Sequence, residues 1–209
     1  MIRWTWAGML AAMLCTSAAQ AAPSTYQLGG GTLRVVMKYD RNAFIASHDH
    51  VLGSTQYTGT ATWDADAVQT CDVNVSMPLS TLVIDPAGTR EQYDLHGETS
   101  ESDKPKILKN ALGKSQLNAA ANPAITFQSA SCTAQGDKVK VDGNFSMAGV
   151  TKPITIIMKT SADGSTFRAT GSFKARHTQF GFHPFTAALG ALRNDDVLTF
   201  HLDIRGKAN

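Results

Sequence analysis

The chain has 209 residues, with 19 Lys+Arg against 17 Asp+Glu and a formal net charge of +2. That balance offers no electrostatic footing for nucleic acid, an anionic membrane surface or an acidic substrate. The length is that of one domain with room for a core, and 43% hydrophobic content excludes a disordered chain.

The N-terminus reads as a secretory leader. Met1-Ile2-Arg3 carries one charge, Trp4 to Cys15 is apolar, and Ala19-Gln20-Ala21 fits the small-x-small cleavage rule. The run is too short for a membrane span, and no later stretch is long and apolar enough for one. Cleavage after Ala21 leaves residues 22–209 as a single exported domain. Cys15 raises a lipoprotein signal, but Ala12-Met13-Leu14 before it fits that signal poorly. Cys71 and Cys132 then form a pair in an oxidising compartment, where one disulfide is the natural reading and two buried thiols the alternative. Closing a loop of about 60 residues stabilises a fold by roughly 4 kcal/mol in the chain-entropy account.

In chain order, the dominant pattern has period two. Thr32–Tyr39 sets Leu33, Val35 and Met37 against Arg34 and Lys38. Cys71–Met77 alternates Cys71, Val73, Val75 and Met77 with Asp72, Asn74 and Ser76. Ala124–Cys132, Lys138–Met147, Ile154–Thr160, Phe167–Ala175 and Val197–Arg205 are further strand-length runs. Asp40-Arg41-Asn42, Ala148-Gly149 and Asp163-Gly164 read as turns, and Gly29-Gly30-Gly31 as a segment preceding a strand. Between Asp85 and Asn122 the strand pattern thins. Ser102-Asp103-Lys104-Pro105 starts a helix there, Ile107, Leu108, Ala111 and Leu112 fall at helical spacing, and Gly113 stops it. Strands at this spacing form an antiparallel meander. With one apolar face, the meander must close on itself or be covered.

The segment Gly143-Asn144-Phe145-Ser146-Met147-Ala148-Gly149-Val150-Thr151-Lys152-Pro153-Ile154 resembles the strand–turn–strand signature of the YceI-like family. Met147 stands where the family has Leu, and Ile154 where it has Val. Asn122-Pro123-Ala124-Ile125-Thr126-Phe127, Thr178-Gln179-Phe180-Gly181-Phe182 and Asp195-Asp196-Val197 resemble further family segments. The resemblance covers about residues 25 to 206. It implies an all-β, extended antiparallel eight-stranded lipocalin-like barrel with one short inserted α-helix. It also implies a periplasmic, non-catalytic binder of a polyisoprenoid, isoprenoid quinone or similar amphiphilic lipid, with no required cofactor and room for a homodimer.

On that resemblance the tunnel wall is expected from inward residues. These are Leu33, Val35 and Met37; Val73, Val75 and Met77; Phe127; Phe145 and Met147; Ile156 and Met158; and Phe173. Ile107, Leu108 and Leu112 of the helix and Phe180 and Phe182 join them, the helix acting as a lid. A hydrocarbon ligand is recognised mainly by apolar area, with a few polar groups at its head. Arg176 and His177 are read as head-group contacts or as a solvated loop.

Other chemistry is thinner. His48 and His50 stand two apart, so on a strand both rings face one side and could share Zn²⁺ or Cu²⁺, with His96 or His183 as a third ligand. Solvated imidazoles are the alternative. No nucleophile elbow or His-Glu-x-x-His exists, and adjacent Asp195 and Asp196 point to opposite strand faces. The competing functional classes are a His-cluster metal-binding or stress-response barrel, and a packed barrel that acts through its surface on an inner-membrane electron-transfer protein.

Overall fold

The computed structural model describes residues 22–44 and 47–208. The predicted leader, residues 1–21 with Cys15, lies outside the described residues. The strands are β1 (Ser24–Tyr39), β2 (His50–Ser54), β3 (Thr58–Trp63), β4 (Asp72–Pro78), β5 (Val83–Ile84), β6 (Ala124–Gln135), β7 (Lys138–Met147), β8 (Val150–Ala162), β9 (Thr166–Arg176), β10 (Thr186–Ala187) and β11 (Leu192–Ala208). Two helices, α1 (Thr89–Gln92) and α2 (Lys104–Leu112), lie between β5 and β6.

Eight strands close into an antiparallel barrel in the order β1, β3, β4, β6, β7, β8, β9, β11 and back to β1. The closing seam runs from Tyr26 opposite Ala208 to Tyr39 opposite Asn194. The lower half of β1 pairs with β3 and its upper half with β2, which in turn pairs with β5. Here the end near Ser24 is the lower one. At the upper end, α2 packs beside β5.

The alternation predicts most of these strands but not the first. β1 begins eight residues before Thr32, and the three glycines lie inside it rather than ahead of it. In the lower half Tyr26 and Leu28 are the buried residues, while in the upper half Leu33, Val35 and Met37 pack against the core. The even and odd positions have exchanged faces. An extra residue between Leu28 and Gly31 makes the exchange, a β-bulge against β11. Gly31 sits at φ 85°, and a Cβ there would run into the Asp203 carbonyl, so only glycine fits. The Tyr57 hydroxyl fastens the bulge, donating to the Gly30 carbonyl and accepting from the Arg205 amide at 2.9 Å.

β2, β3, β5 and β10 carry no clear alternation and escape the pattern. β2 is buried throughout because both its faces are covered. Its outward Val51, beside outward Val36, lies beneath the segment that carries α1.

Cys71 and Cys132 form a disulfide with Cα atoms 6.0 Å apart and a sequence separation of 61. It ties the start of β4 to β6 at the lower end. Replacing both by serine is expected to lower the unfolding free energy by roughly 3–4 kcal/mol through the freed denatured chain. Urea unfolding of the double variant checks this, and a loss under about 1 kcal/mol contradicts it.

Candidate functional site

The barrel interior contains an apolar cavity of about 140 Å³, at the place where the resemblance predicts a tunnel. Its wall reaches from Trp63, Cys71 and Phe167 at the lower end to Ala111, Leu117 and Phe182 at the upper end. On β7 alone the wall runs from Val139 to Met147. That is roughly 27 Å of strand at about 3.4 Å per residue, or about 20 Å along the axis of a tilted barrel. The lining therefore extends along most of the barrel axis.

Most of the expected tunnel residues line it: Leu33, Val35, Met37, Val73, Val75, Met77, Phe127, Phe145, Met147, Ile156, Met158, Phe173 and Phe182. Four do not. Phe180 is packed edge-on against Phe145 at 5.6 Å and is only 2% exposed, so neighbours hold it off the tunnel. Ile107, Leu108 and Leu112 pack against the core from α2 without reaching the tunnel. The lid position is filled instead by Ala111 of α2 and by Gln116 and Leu117 just after it. Leu117 follows no helical spacing, so its role was not legible in the pattern.

Small inward residues do not simply leave space. The Phe127 ring occupies the place of a side chain at Gly143, and Met158 Sδ does the same at Gly171. On one side of the tunnel Phe173 and Phe200 stack with centroids 4.6 Å apart, and Phe145 meets both edge-on at 5.3 Å. Such pairs add about 0.5–1.5 kcal/mol each beyond their buried area.

The polar members of the wall are Arg34, Gln116, Thr126, Thr160 and His177. Arg34 turns its guanidinium to Gln92 at 2.6 Å, and Gln116 donates to the His183 carbonyl at 3.1 Å. His177 does not stand in a solvated loop, for it is 2% exposed. The sequence held the signal: Phe167, Ala169, Gly171, Phe173 and Ala175 continue in step to position 177, which places the imidazole inward. Burial pushes this imidazole below its ordinary pKa, against the opposing pull of Asp196.

A second polar group is sealed under the α1 segment. Asp85 accepts from His50 Nδ1 at 3.2 Å, the Val51 amide at 2.7 Å and Arg90 at 2.9 Å. Arg90 also reaches the backbone carbonyls of Asp49, His96 and Gly97. Asp49, fully buried, takes Arg41 at 2.8 Å and the amides of Tyr39 and His96 at 3.1 Å each. Its bonds to Tyr39, His50 and Val51 fasten these loops to β1 and β2, and the others join the loops to one another. The alternation does not show it, since its members come from loops.

The histidine pair stands differently from the expectation. His50 opens β2 but His48 lies in the loop before it, with ring centroids 5.4 Å apart. His50 commits Nδ1 to Asp85, and His183 is exposed and tied by its carbonyl to Gln116. Burial, then the neighbouring His50, lowers the His48 pKa. Among the described residues no group of three His, Cys, Asp or Glu is placed to hold a metal. No helix among them is long and apolar enough to cross a membrane.

A YceI-like domain model matches residues 30–205. A UPF0312 protein of Yersinia pestis (strain Pestoides F) is 34% identical over 87 residues, covering 38% of this chain and 44% of that protein. A UPF0312 protein of Pseudomonas paraeruginosa is 35% identical over 68 residues, 32% of this chain and 34% of that one. The chain thus matches less than half the length of these curated relatives. Among solved structures, Burkholderia cenocepacia BcnA superposes with a TM-score of 0.59 at 13% identity, over 83% of this chain and 95% of that one. A Campylobacter jejuni YceI protein gives 0.57 at 13% identity, over 79% and 87%. At these identities the structural likeness speaks for the fold.

The Asp85 network yields a pH prediction. Burial raises the Asp85 pKa, but hydrogen bonds from His50, the Val51 amide and Thr99 outweigh it and hold the carboxyl at about 2. A depressed carboxyl stabilises the fold fully above its ordinary value of 3.8, and that contribution is lost as pH falls through about 2. Asp85→Asn is expected to cost roughly 1–3 kcal/mol at neutral pH by leaving buried donors poorly met. Its deficit relative to wild type shrinks on acidification between about pH 4 and pH 2. Urea unfolding across that range checks this, and a deficit that widens toward acid contradicts it.

Proposed function

Because the chain belongs to the YceI-like family, we propose that it is an exported, periplasmic carrier of a single long apolar chain, a polyisoprenoid, isoprenoid quinone or similar amphiphile, and that it is not a catalyst. The observation that carries this reading is the tunnel: an apolar space whose lining extends along most of the barrel axis, in a fold whose strands alone would pack into a solid core. Hydrocarbon offers nothing to read along its length but area, at roughly 25 cal/mol per Å². A wall of Val, Leu, Ile, Phe and Met answers that requirement, and its polar members are few.

The cavity volume sets a condition on the ligand. An engineered apolar cavity of about 150 Å³ admits a benzene ring, so 140 Å³ takes a short segment with no adjustment. A chain of tens of carbons widens the tunnel by moving its side chains. Met37, Met77, Met147 and Met158 all line it, and methionine is the side chain most able to re-pack. Phe127 over Gly143 and Met158 over Gly171 mark where the widening begins. The leader expected over residues 1–21 supports export, and the disulfide suits an oxidising compartment.

Organic extraction of natively purified protein followed by mass spectrometry is expected to release a lipid in near-stoichiometric amount. Val141→Trp, which fills the lower half of the tunnel opposite Cys132, is expected to cut that yield at least tenfold while the far-ultraviolet dichroism stays that of a β-barrel. Overpacking of this kind costs roughly 1–3 kcal/mol of stability. Equal lipid in wild type and Val141→Trp contradicts the reading.

A further inference from the structure

We propose that His177 reads the polar end of the tunnel's ligand, and that it selects a neutral end that donates a hydrogen bond, an alcohol or a phenol, over one that only accepts or carries negative charge. The inference rests on the tunnel being a chain-binding site.

The geometry fixes which ring nitrogen is free. His177 Nδ1 lies 2.9 Å from the Asp196 backbone carbonyl. A carbonyl has no proton to give, so Nδ1 carries the hydrogen and Nε2 of the neutral ring holds a bare lone pair. Among the described residues no protein group bonds Nε2. Every fully enclosed side-chain nitrogen or oxygen among them has a partner. Nε2 is therefore not sealed in protein, yet the residue is 2% exposed and lies in the tunnel wall. Because the residue lines the tunnel, we assign the free lone pair to tunnel space.

The ring is held in that pose from two sides. Asp196 clamps the turn that carries it, taking the Thr178 hydroxyl at 2.7 Å and the Thr178 amide at 3.1 Å. Phe182 meets the imidazole edge-on, with centroids 5.2 Å apart. A fixed acceptor costs little ordering when it binds.

Charge decides the rest. The carboxylate nearest the ring, Asp196 Oδ1, is 3.9 Å from Nδ1 on the side away from the free nitrogen. Arg176 is engaged with that same carboxylate at 3.6 Å. Arg176 is not in the wall, and the wall's one arginine among the described residues, Arg34, gives its guanidinium to Gln92. No cation is left inside to receive a carboxylate or phosphate, and an unpaired buried anion is strongly disfavoured. Burial lowers the imidazole's pKa, which favours the neutral ring and its lone pair. The ligand's head then sits at the upper end by α2, and its tail runs toward the disulfide.

The test uses delipidated, purified protein with farnesol and farnesyl methyl ether, which share a chain and differ in the donor. Titration is expected to show wild type binding the alcohol about tenfold more tightly, the worth of one hydrogen bond of about 1.4 kcal/mol. His177→Phe is expected to abolish that preference, read as the ratio of the two affinities within each protein, and His177→Gln, which keeps an acceptor, to restore part of it. Equal binding by wild type, or a preference that survives in His177→Phe, overturns the proposal. Should His177→Phe fail to fold, ¹⁵N NMR of histidine-labelled wild type decides. The Nε2 resonance is expected to move with farnesol and not with the ether, and an unmoved resonance overturns it. If neither ligand enters, the tunnel reading itself fails and takes this proposal with it.

Discussion

The seam between β1 and β11 is the constraint on which everything else depends. These two long strands come from opposite ends of the domain, and their pairing converts a curled sheet into a closed barrel. Closure removes two sheet edges and shields a continuous apolar face that would otherwise meet water. A one-residue slip along the seam would turn every side chain of one strand to the wrong face. The bulge at Gly30–Gly31 is thus a device of register, since it returns the upper half of β1 to the inward apolar set. Tyr57, bonded to both strands across the bulge, holds that register in place.

With the barrel closed, polarity separates by location. Charged and hydrogen-bonded groups gather outside the wall, in the Asp85–Arg90–Asp49 network that straps α1 onto β2 and in exposed pairs such as Arg168–Asp203. Exposed pairs of this kind contribute little to stability. The buried network is different, because among the described residues every fully buried side-chain nitrogen or oxygen has a partner and the segment it fixes covers outward Val36 and Val51. Inside, apolar walls surround a space that neighbours have partly filled. His177 is the exception: a buried imidazole in the tunnel wall with Nδ1 satisfied by backbone.

Strand alternation made the barrel legible because every long strand has one dry face and one wet face. It failed where that asymmetry fails. β2 is covered on both sides, β5 and β10 have two residues each, and the bulged β1 breaks period two in its middle. The tunnel wall was readable for the same reason as the core, since inward residues are shared between the two. Phe180 shows where that shared signal misleads, for inward does not mean tunnel-facing when a ring such as Phe145 stands between. The α2 stripe is amphipathic as its spacing predicts, but the residues that reach the tunnel are Ala111 and the post-helical Gln116 and Leu117. His177, read as a head-group contact or part of a solvated loop, is buried in the turn directly after β9, one step beyond the alternating run.

The central claim is that a hydrocarbon chain occupies the barrel axis. Four methionines sample that axis, from Met158 in its lower half to Met147 at the helix end. NMR of protein labelled with ¹³C at the methionine methyls, mixed with a long-chain prenyl alcohol, tests it most directly. Intermolecular nuclear Overhauser effects from the chain to both Met158 and Met147 are the predicted result. Methyl resonances that neither shift nor show contact with the chain at saturating ligand would contradict the account.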